Sequence, residues 1–229
     1  MTAAHLGETP EPSTVGVIAI DGPAGSGKST VARRLAERLG VEYLDTGAMY
    51  RSVAFAALRG DVDPADVDAV AALVADLDIS VANGVVTVDG VDASIEIRGP
   101  EVTRAVSVVA ANPAVRADLV ARQRAWGQAR GGGVIEGRDI GSVVFPDATL
   151  KVYLTASPEA RAGRRAQEVT DLSYEAVAAD IARRDAVDQG RDESPLVEAA
   201  DAVLVDTTDH TVDEVIDEVV ARLDALTSG

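Results

Sequence analysis

Nine consecutive residues, Gly22, Pro23, Ala24, Gly25, Ser26, Gly27, Lys28, Ser29 and Thr30, fit the pattern G-x-x-x-x-G-K-[ST]. Glycines at this spacing let successive backbone N–H groups turn toward a polyphosphate, and a following helix points its positive dipole end at the same anion. Lys28 then reaches the outer phosphates, and Ser29 is placed to hold Mg²⁺. The flanks agree with this reading. An apolar run, VGVIAI at 15–20, precedes the loop, while Val31, Leu35 and Leu39 follow at helical spacing, with Gly40 as a stop. The alternative is a glycine-rich turn that binds nothing, and it would have to acquire pattern, strand and helix together by chance.

Such a loop is shared by motors, GTPases, ATP-binding modules and small-molecule kinases, so a second set of residues must decide. The N-K-x-D sequence usual in guanine-specific proteins is absent; the lysines are Lys28 and Lys151. Arginines recur in four separate segments: Arg51, Arg116, Arg138, and the pair Arg184 and Arg191. A planar guanidinium grips phosphate through two parallel N–H groups, and phosphoryl transfer is catalysed mainly by positioning and charge neutralisation. An acceptor that is itself a nucleoside monophosphate brings its own anionic nucleophile and needs no general base, which suits a chain whose histidines are His5 and His210.

Arg184, Asp188 and Arg191 fall on one helical face, either as a solvated ion-pair ladder or, beside Gln189-Gly190, as part of a closing lid. Arg138-Asp139 is either a local ion pair or, at the carboxyl end of a parallel strand, part of a binding site. Arg161, Arg164 and Arg165 form a weaker group, suited equally to donor contacts and to an exposed helix face.

These residues need a scaffold, and the pattern supplies one. Strands are expected at 15–20, 41–44, 134–136, 150–154 and 202–205, separated by helices, which implies a parallel sheet covered on both faces. Asp45 or Thr46 caps a helix carrying Met49, Val53, Ala56 and Ala57 inward, with Gly60 and Pro64 beyond its end. A helix at 66–77 leads into short apolar runs joined by Asn83-Gly84 and Asp89-Gly90, the signature of a small antiparallel insertion. Residues 100–128 return to helix, broken near Asn112-Pro113, with Val115, Leu119 and Val120 on one side and Arg116, Arg122, Arg124 and Arg130 decorating the rest. Helices at 158 onward, 173–189 and 211–226 complete the pattern, the last with Val212, Val215, Ile216, Val219, Val220 and Leu223 inward.

The chain has 229 residues, 47% hydrophobic, with a formal charge of −17, so its surface repels nucleic-acid polymers and anionic membranes, and an anionic ligand must be drawn into a local cationic cleft. After Arg191 the one basic residue is Arg222, against eleven acidic ones from Asp192 to Asp224. There is no cysteine, hence no disulfide or thiolate metal site, and residues 1–14 read as a polar disordered tail without signal-peptide character. No stretch is long and apolar enough to span a membrane. The expected location is the cytoplasm.

With these residues assembled, the chain resembles the bacterial cytidylate kinases, in the nucleoside monophosphate kinase family. Five segments carry the likeness, in family order: IDGPAGSGKST, LDTGAMYR, EIRGPEVTRAVSVVA, IEGRDIGSVVFPDA and RRDAVDQGR. The resemblance implies an α/β P-loop kinase with a five-stranded parallel sheet flanked by helices, a small antiparallel β insertion and a short helical lid. It divides 15–229 into a core (15–45, 131–157 and 192–229), an acceptor-binding region (46–130) and a lid (158–191). It implies ATP as donor with Mg²⁺, CMP and dCMP as acceptors, and a monomer. By motif, Arg51, Arg138 and Arg191 would grip the acceptor phosphate, Thr46, Arg116 and Asp139 read cytosine, Ser107, Arg184 and Asp188 contact the sugar, and Tyr50 pack beside the nucleotide. Lys28, Arg138, Arg184 and Arg191 would stabilise the charge in transfer. Thr46 stands where serine is also usual and keeps the hydroxyl. Independently of the family, a carboxylate such as Asp139 accepts from cytosine's exocyclic amine and repels the carbonyl uracil offers there, while Arg116 complements the O2/N3 edge. A kinase for UMP or dTMP, or an ATP-binding regulator without catalysis, are the competing readings.

Overall fold

The computed structural model describes residues 15–82, 84–168, 173–191 and 194–228. The tail at 1–14, Asn83 of the first insertion turn, and the acidic Asp192 and Glu193 lie outside the described residues.

Apolar runs bounded by glycine become the strands of one parallel sheet: β1 (Gly16–Asp21), β2 (Tyr43–Asp45), β6 (Gly132–Glu136), β7 (Leu150–Thr155) and β8 (Val203–Asp206). Their order is β2-β6-β1-β7-β8. The chain leaves β1 through α1 (Lys28–Leu39), passes over the position of β6 to reach β2, and later returns to fill the gap. After β6 it crosses to the opposite side of β1. Direction therefore reverses at β1, where the carboxyl ends of parallel strands open a crevice. Ile20 lies in register with Glu136 and with Val152, and Glu136 with Asp45, so the residues following β1, β2 and β6 emerge side by side.

Alternation along the strands separates two cores. Ile18, Ile20 and Val134 face α1 and α8 (Val212–Thr227), meeting Val31, Leu35, Val215, Ile216 and Val219. Ala19, Leu44 and Ile135 face the other layer, built from α2 (Thr46–Arg59), α3 (Val67–Asp76), α4 (Pro100–Val109) and α5 (Pro113–Arg130). Side chains with no exposure in these cores, such as Leu35 and Leu119, each contribute about 2 kcal/mol by leaving water. Asp45 is the cap of α2, accepting from Ala48 N–H at 2.9 Å, and Thr46 is the first helical residue. Asn112 caps α5, and Thr211 with Glu214 forms a capping box on α8.

The insertion is a three-stranded antiparallel sheet, β3 (Ile79–Ala82), β4 (Val85–Val88) and β5 (Val91–Asp92), whose Val86 and Val88 join the α2 core. Helices α6 (Pro158–Glu168) and α7 (Tyr174–Gln189) pack Ala162, Val177 and Ile181 against Ala24 of the phosphate loop. Much of the late acidic charge lies on α8, where Asp213 and Asp217 pair with Arg34 and Arg38 of α1.

One expectation fails: the arginines of α5 do not merely decorate it. Arg116 is 5% exposed, Arg122 donates to the last carbonyls of the α3 region, Val74 and Leu77, and Arg124 donates to Val143 and Val144. Helical spacing separates apolar from polar faces, but a polar face laid against helix ends finds carbonyls to satisfy.

Candidate active site

The phosphate loop starts on a glycine that the fold requires. Gly22 has φ 149°, and a Cβ there would lie 2.0 Å from the carbonyl oxygen of Leu154 on the neighbouring strand. Gly27 occupies the N-cap of α1 with φ 89° and offers no side chain to the first-turn N–H groups, which leaves them to an anion. Lys28 folds back over the loop, its Nζ donating to the Pro23 carbonyl at 2.7 Å. Burial lowers its proton affinity and Arg138 adds to the effect, against Glu136, Asp21 and Asp185. A polyphosphate in the loop restores the balance in favour of the ammonium.

Ser29 donates from Oγ to Glu136 Oε2 at 3.0 Å, and Tyr43 donates its hydroxyl to the other carboxylate oxygen. The Glu136 carbonyl in turn accepts from Thr46 Oγ1 at 2.6 Å. Burial raises the Glu136 carboxyl, reinforced by Asp45 and opposed by Lys28. A hydroxyl beside a buried carboxylate on the cleft wall is an oxygen donor set that suits Mg²⁺.

Across the cleft from the loop, Arg51 is held by the Ile97 carbonyl at 3.1 Å and Thr103 Oγ1 at 2.9 Å, and burial, with Arg184 and Arg165 nearby, lowers its pKa to about 9. Arg116 and Asp139 form an ion pair with both side chains 6% exposed, and the guanidinium stands 5.6 Å from the Tyr50 ring centroid. Burial raises the Asp139 carboxyl against the pull of Arg116 and Arg191. Arg138 donates from Nε to Asp188 Oδ2 and from Nη1 to the Gly22 carbonyl, each at 2.9 Å, and Arg191 takes the other oxygen of Asp188. Burial alone would raise Asp188; Arg138, Arg191 and Arg184 overcome it and hold the carboxyl low. The Nε atoms of Arg184 and Arg191 are buried without hydrogen-bond partners.

Between β6 and β7 the chain makes a single π-helical turn, Ile140–Val144, immediately after Arg138-Asp139. Its first N–H groups, those of Ile140 and Gly141, donate to the Asp21 carboxylate at 2.9 and 2.7 Å. Burial pushes the Asp21 carboxyl up to about 6 in spite of these two donors.

These groups meet in one cleft of about 930 Å³. Its lining holds the loop from Ala24 to Thr30 together with Thr46, Tyr50, Arg51, Ser107, Arg116, Arg138, Asp139, Arg184, Asp188 and Arg191. Gly22 and Pro23 stand behind that lining and shape the loop's entry. Past the phosphate loop the cleft continues to Arg164, Thr207, His210, Thr211 and Val212. Arg164 donates from Nη1 to Thr207 Oγ1 at 2.8 Å. Arg161 is not on a solvated face: it pairs with Asp185, and both hold Ala24, through its carbonyl at 3.0 Å and its N–H at 3.0 Å.

The sequence profile of the cytidylate kinase family matches residues 18–225. A cytidylate kinase of Nocardia farcinica is 54% identical over 88% of this chain and 90% of its own length, and one of Corynebacterium glutamicum is 49% identical over 91% and 94%. The chain belongs to the cytidylate kinase family. Family membership makes it a P-loop transferase, and the observed α/β fold agrees. Likeness in fold alone extends to a gluconokinase from Sinorhizobium meliloti 1021, at 15% identity over 92% of this chain and 93% of that one, with a TM-score of 0.50. Among the described residues no helix is long and apolar enough to cross a membrane.

Within this cytidylate kinase scaffold, three groups escape the motif reading: Glu136, Tyr43 and the Arg161–Asp185 pair. Glu136 sat in plain view as the last polar residue of an apolar strand. A carboxylate at the carboxyl end of the strand beside the phosphate loop was the available signal.

Proposed function

We propose that this chain transfers the γ-phosphoryl group of ATP to CMP and dCMP in a cleft formed by a core (15–45, 131–157 and 192–229), an acceptor region (46–130) and a lid (158–191). One observation carries the reading: the phosphate loop and the buried Arg116–Asp139 pair line the same cleft, with Arg51, Arg138, Arg184 and Arg191 beside them. Residues 22–30 cradle the donor phosphates, through backbone N–H groups and Lys28. Ser29, with Glu136 behind it, would hold Mg²⁺, which would supply charge neutralisation at the donor phosphates. Arg51, Arg138 and Arg191 fix the acceptor phosphate, whose own oxygen is the nucleophile, and Ser107, Arg184 and Asp188 hold the sugar. Asp139 accepts from the cytosine amine, Arg116 donates to its O2/N3 edge, Thr46 contributes a hydroxyl, and Tyr50 packs beside the ring.

As α6 and α7 settle on the loop through Arg161 and Asp185, water is excluded and Lys28, Arg138, Arg184 and Arg191 converge on the group in flight. The acceptor carboxylate disfavours UMP and dTMP, which present a carbonyl where cytosine has its amine. An acidic, cysteine-free chain fits a cytoplasmic monomer. The test is ADP release with ATP and Mg²⁺ against CMP, dCMP, UMP, dTMP, AMP and GMP: activity confined to the two cytosine nucleotides is expected, and equal rates across the panel, or ATP consumption without acceptor dependence, overturn the proposal.

A further inference from the structure

Asp21 is the last residue of β1, 5% exposed, and stands outside every substrate role assigned above. Its two carboxylate oxygens are spent on the backbone of a distant segment: Oδ1 accepts from Ile140 N–H at 2.9 Å and Oδ2 from Gly141 N–H at 2.7 Å. Its neighbours grip the same segment. The Ile20 carbonyl accepts from Gly137 N–H at 3.0 Å, and the Gly22 carbonyl accepts from Arg138 Nη1 at 2.9 Å. Three successive residues at the mouth of the phosphate loop thus hold the start, middle and end of the stretch that presents Arg138 and Asp139. At its far end the π turn is braced by Arg124 on the carbonyls of Val143 and Val144, and Gly141 lies against the stem of Lys151.

We propose that Asp21 is a positioning residue for acceptor recognition, holding the π turn so that Asp139 and Arg138 keep their places in the cleft. The inference rests on the function proposed above. A carboxylate at the start of a helical turn satisfies two N–H groups that have no partner within it, and its negative charge complements the turn's dipole. Asparagine has one acceptor oxygen where aspartate has two, so Asp21→Asn frees one N–H of the pair and points an amide at it. The turn then shifts, and Asp139 with it. The carboxylate's hydrogen bonds run to residues 140 and 141, and its action on the donor loop is through its charge on Lys28, so the loop's backbone keeps its own contacts.

The experiment measures KM and kcat for CMP, UMP and ATP in the wild-type enzyme, Asp21→Asn and Asp21→Ser, with thermal melts of each. The expected result is a KM for CMP raised ~10-fold and a CMP-over-UMP preference reduced ~10-fold, with the KM for ATP within about two-fold of wild type, as for the loss of one charge-assisted hydrogen bond. Asp21→Ser, a smaller side chain with one acceptor oxygen, should move the same two quantities, and it serves as the measured variant if Asp21→Asn does not fold. Unchanged CMP constants, or a fall in kcat alone with base preference intact, overturn the inference while leaving the kinase reading standing. A wild-type protein without CMP-dependent ADP release overturns that reading and this one together.

Discussion

Arg138 and Asp188 meet at 2.9 Å across fifty residues of chain, joining the segment after β6 to the last turn of α7. The same guanidinium holds the Gly22 carbonyl, so one side chain joins the phosphate loop, the segment after β6 and α7. Lysine carries the charge but not the fork, so a single nitrogen would have to serve acceptors that Nε and Nη1 now reach separately. Arg138→Lys should therefore lower kcat/KM for CMP by ~100-fold while the KM for ATP changes by less than about three-fold. Steady-state kinetics with each substrate varied in turn check this, and a parallel loss in the ATP constant would place Arg138 on the donor side.

Base choice should follow Asp139. Replacing its carboxylate with an amide supplies an N–H that uracil's O4 can accept, and removes one of the two oxygens that suit the cytosine amine. Asp139→Asn should shift the ratio of kcat/KM values for CMP and UMP toward UMP by ~10- to 100-fold, the worth of a good base-edge contact. Asp139→Ala should lose preference without gaining UMP activity, and should also lower the melting temperature, since it strands the Arg116 charge in a buried site. If either variant altered ATP affinity alone, cytosine reading would have to lie elsewhere.

Stability offers a separate handle on Asp21. Its folded-state pKa of about 6 lies above its ordinary value of 3.8. The folded protein therefore binds a proton that the unfolded chain releases between those two values, so the contribution of Asp21 to stability is present below pH 3.8 and is lost as pH rises through 6. Two pH units correspond to roughly 3 kcal/mol as an upper figure. Asp21→Asn lacks this titration. Its melting temperature relative to wild type should rise between pH 4 and pH 7, and a gap that stayed flat would show that Asp21 keeps one protonation state across the window.

How far these relationships were legible in the sequence depends on their range. The phosphate loop, the caps at Asp45 and Thr211 and the Asp89-Gly90 turn are local, set by residues within one helical turn or one hairpin, and each stands where its spacing places it. The strand order is not local, because nothing in β2 states that β6 will come between it and β1. The arginines of α5 mark the same boundary. Periodicity identifies their face as polar, whereas the partners that bury them, Asp139 for Arg116 and the end of the π turn for Arg124, arrive from a later segment. Arg161 stays open between donor contacts and an exposed face for the same reason, because its partner Asp185 lies on the next helix.

Glu136 is the site residue whose role is least visible in the chain and most exposed to test. Its carboxylate accepts from Ser29 at 3.0 Å and from Tyr43, so both oxygens have assigned donors. Glu136→Gln keeps the shape and reverses one of these contacts, setting an amide N–H against a hydroxyl donor. Ser29 then turns, or Tyr43 does. The first outcome disturbs the oxygen that faces the donor phosphates, so the Mg²⁺ concentration for half-maximal activity should rise ~10-fold, while the KM for CMP stays within about two-fold. Tyr43→Phe removes a donor without adding one and should shift the Mg²⁺ requirement less. Activity titrated against free Mg²⁺ at saturating ATP and CMP separates the cases, and EDTA should abolish turnover in all three proteins. If Glu136→Gln left the Mg²⁺ curve in place and weakened CMP instead, the carboxylate would be acting on CMP binding rather than through Ser29.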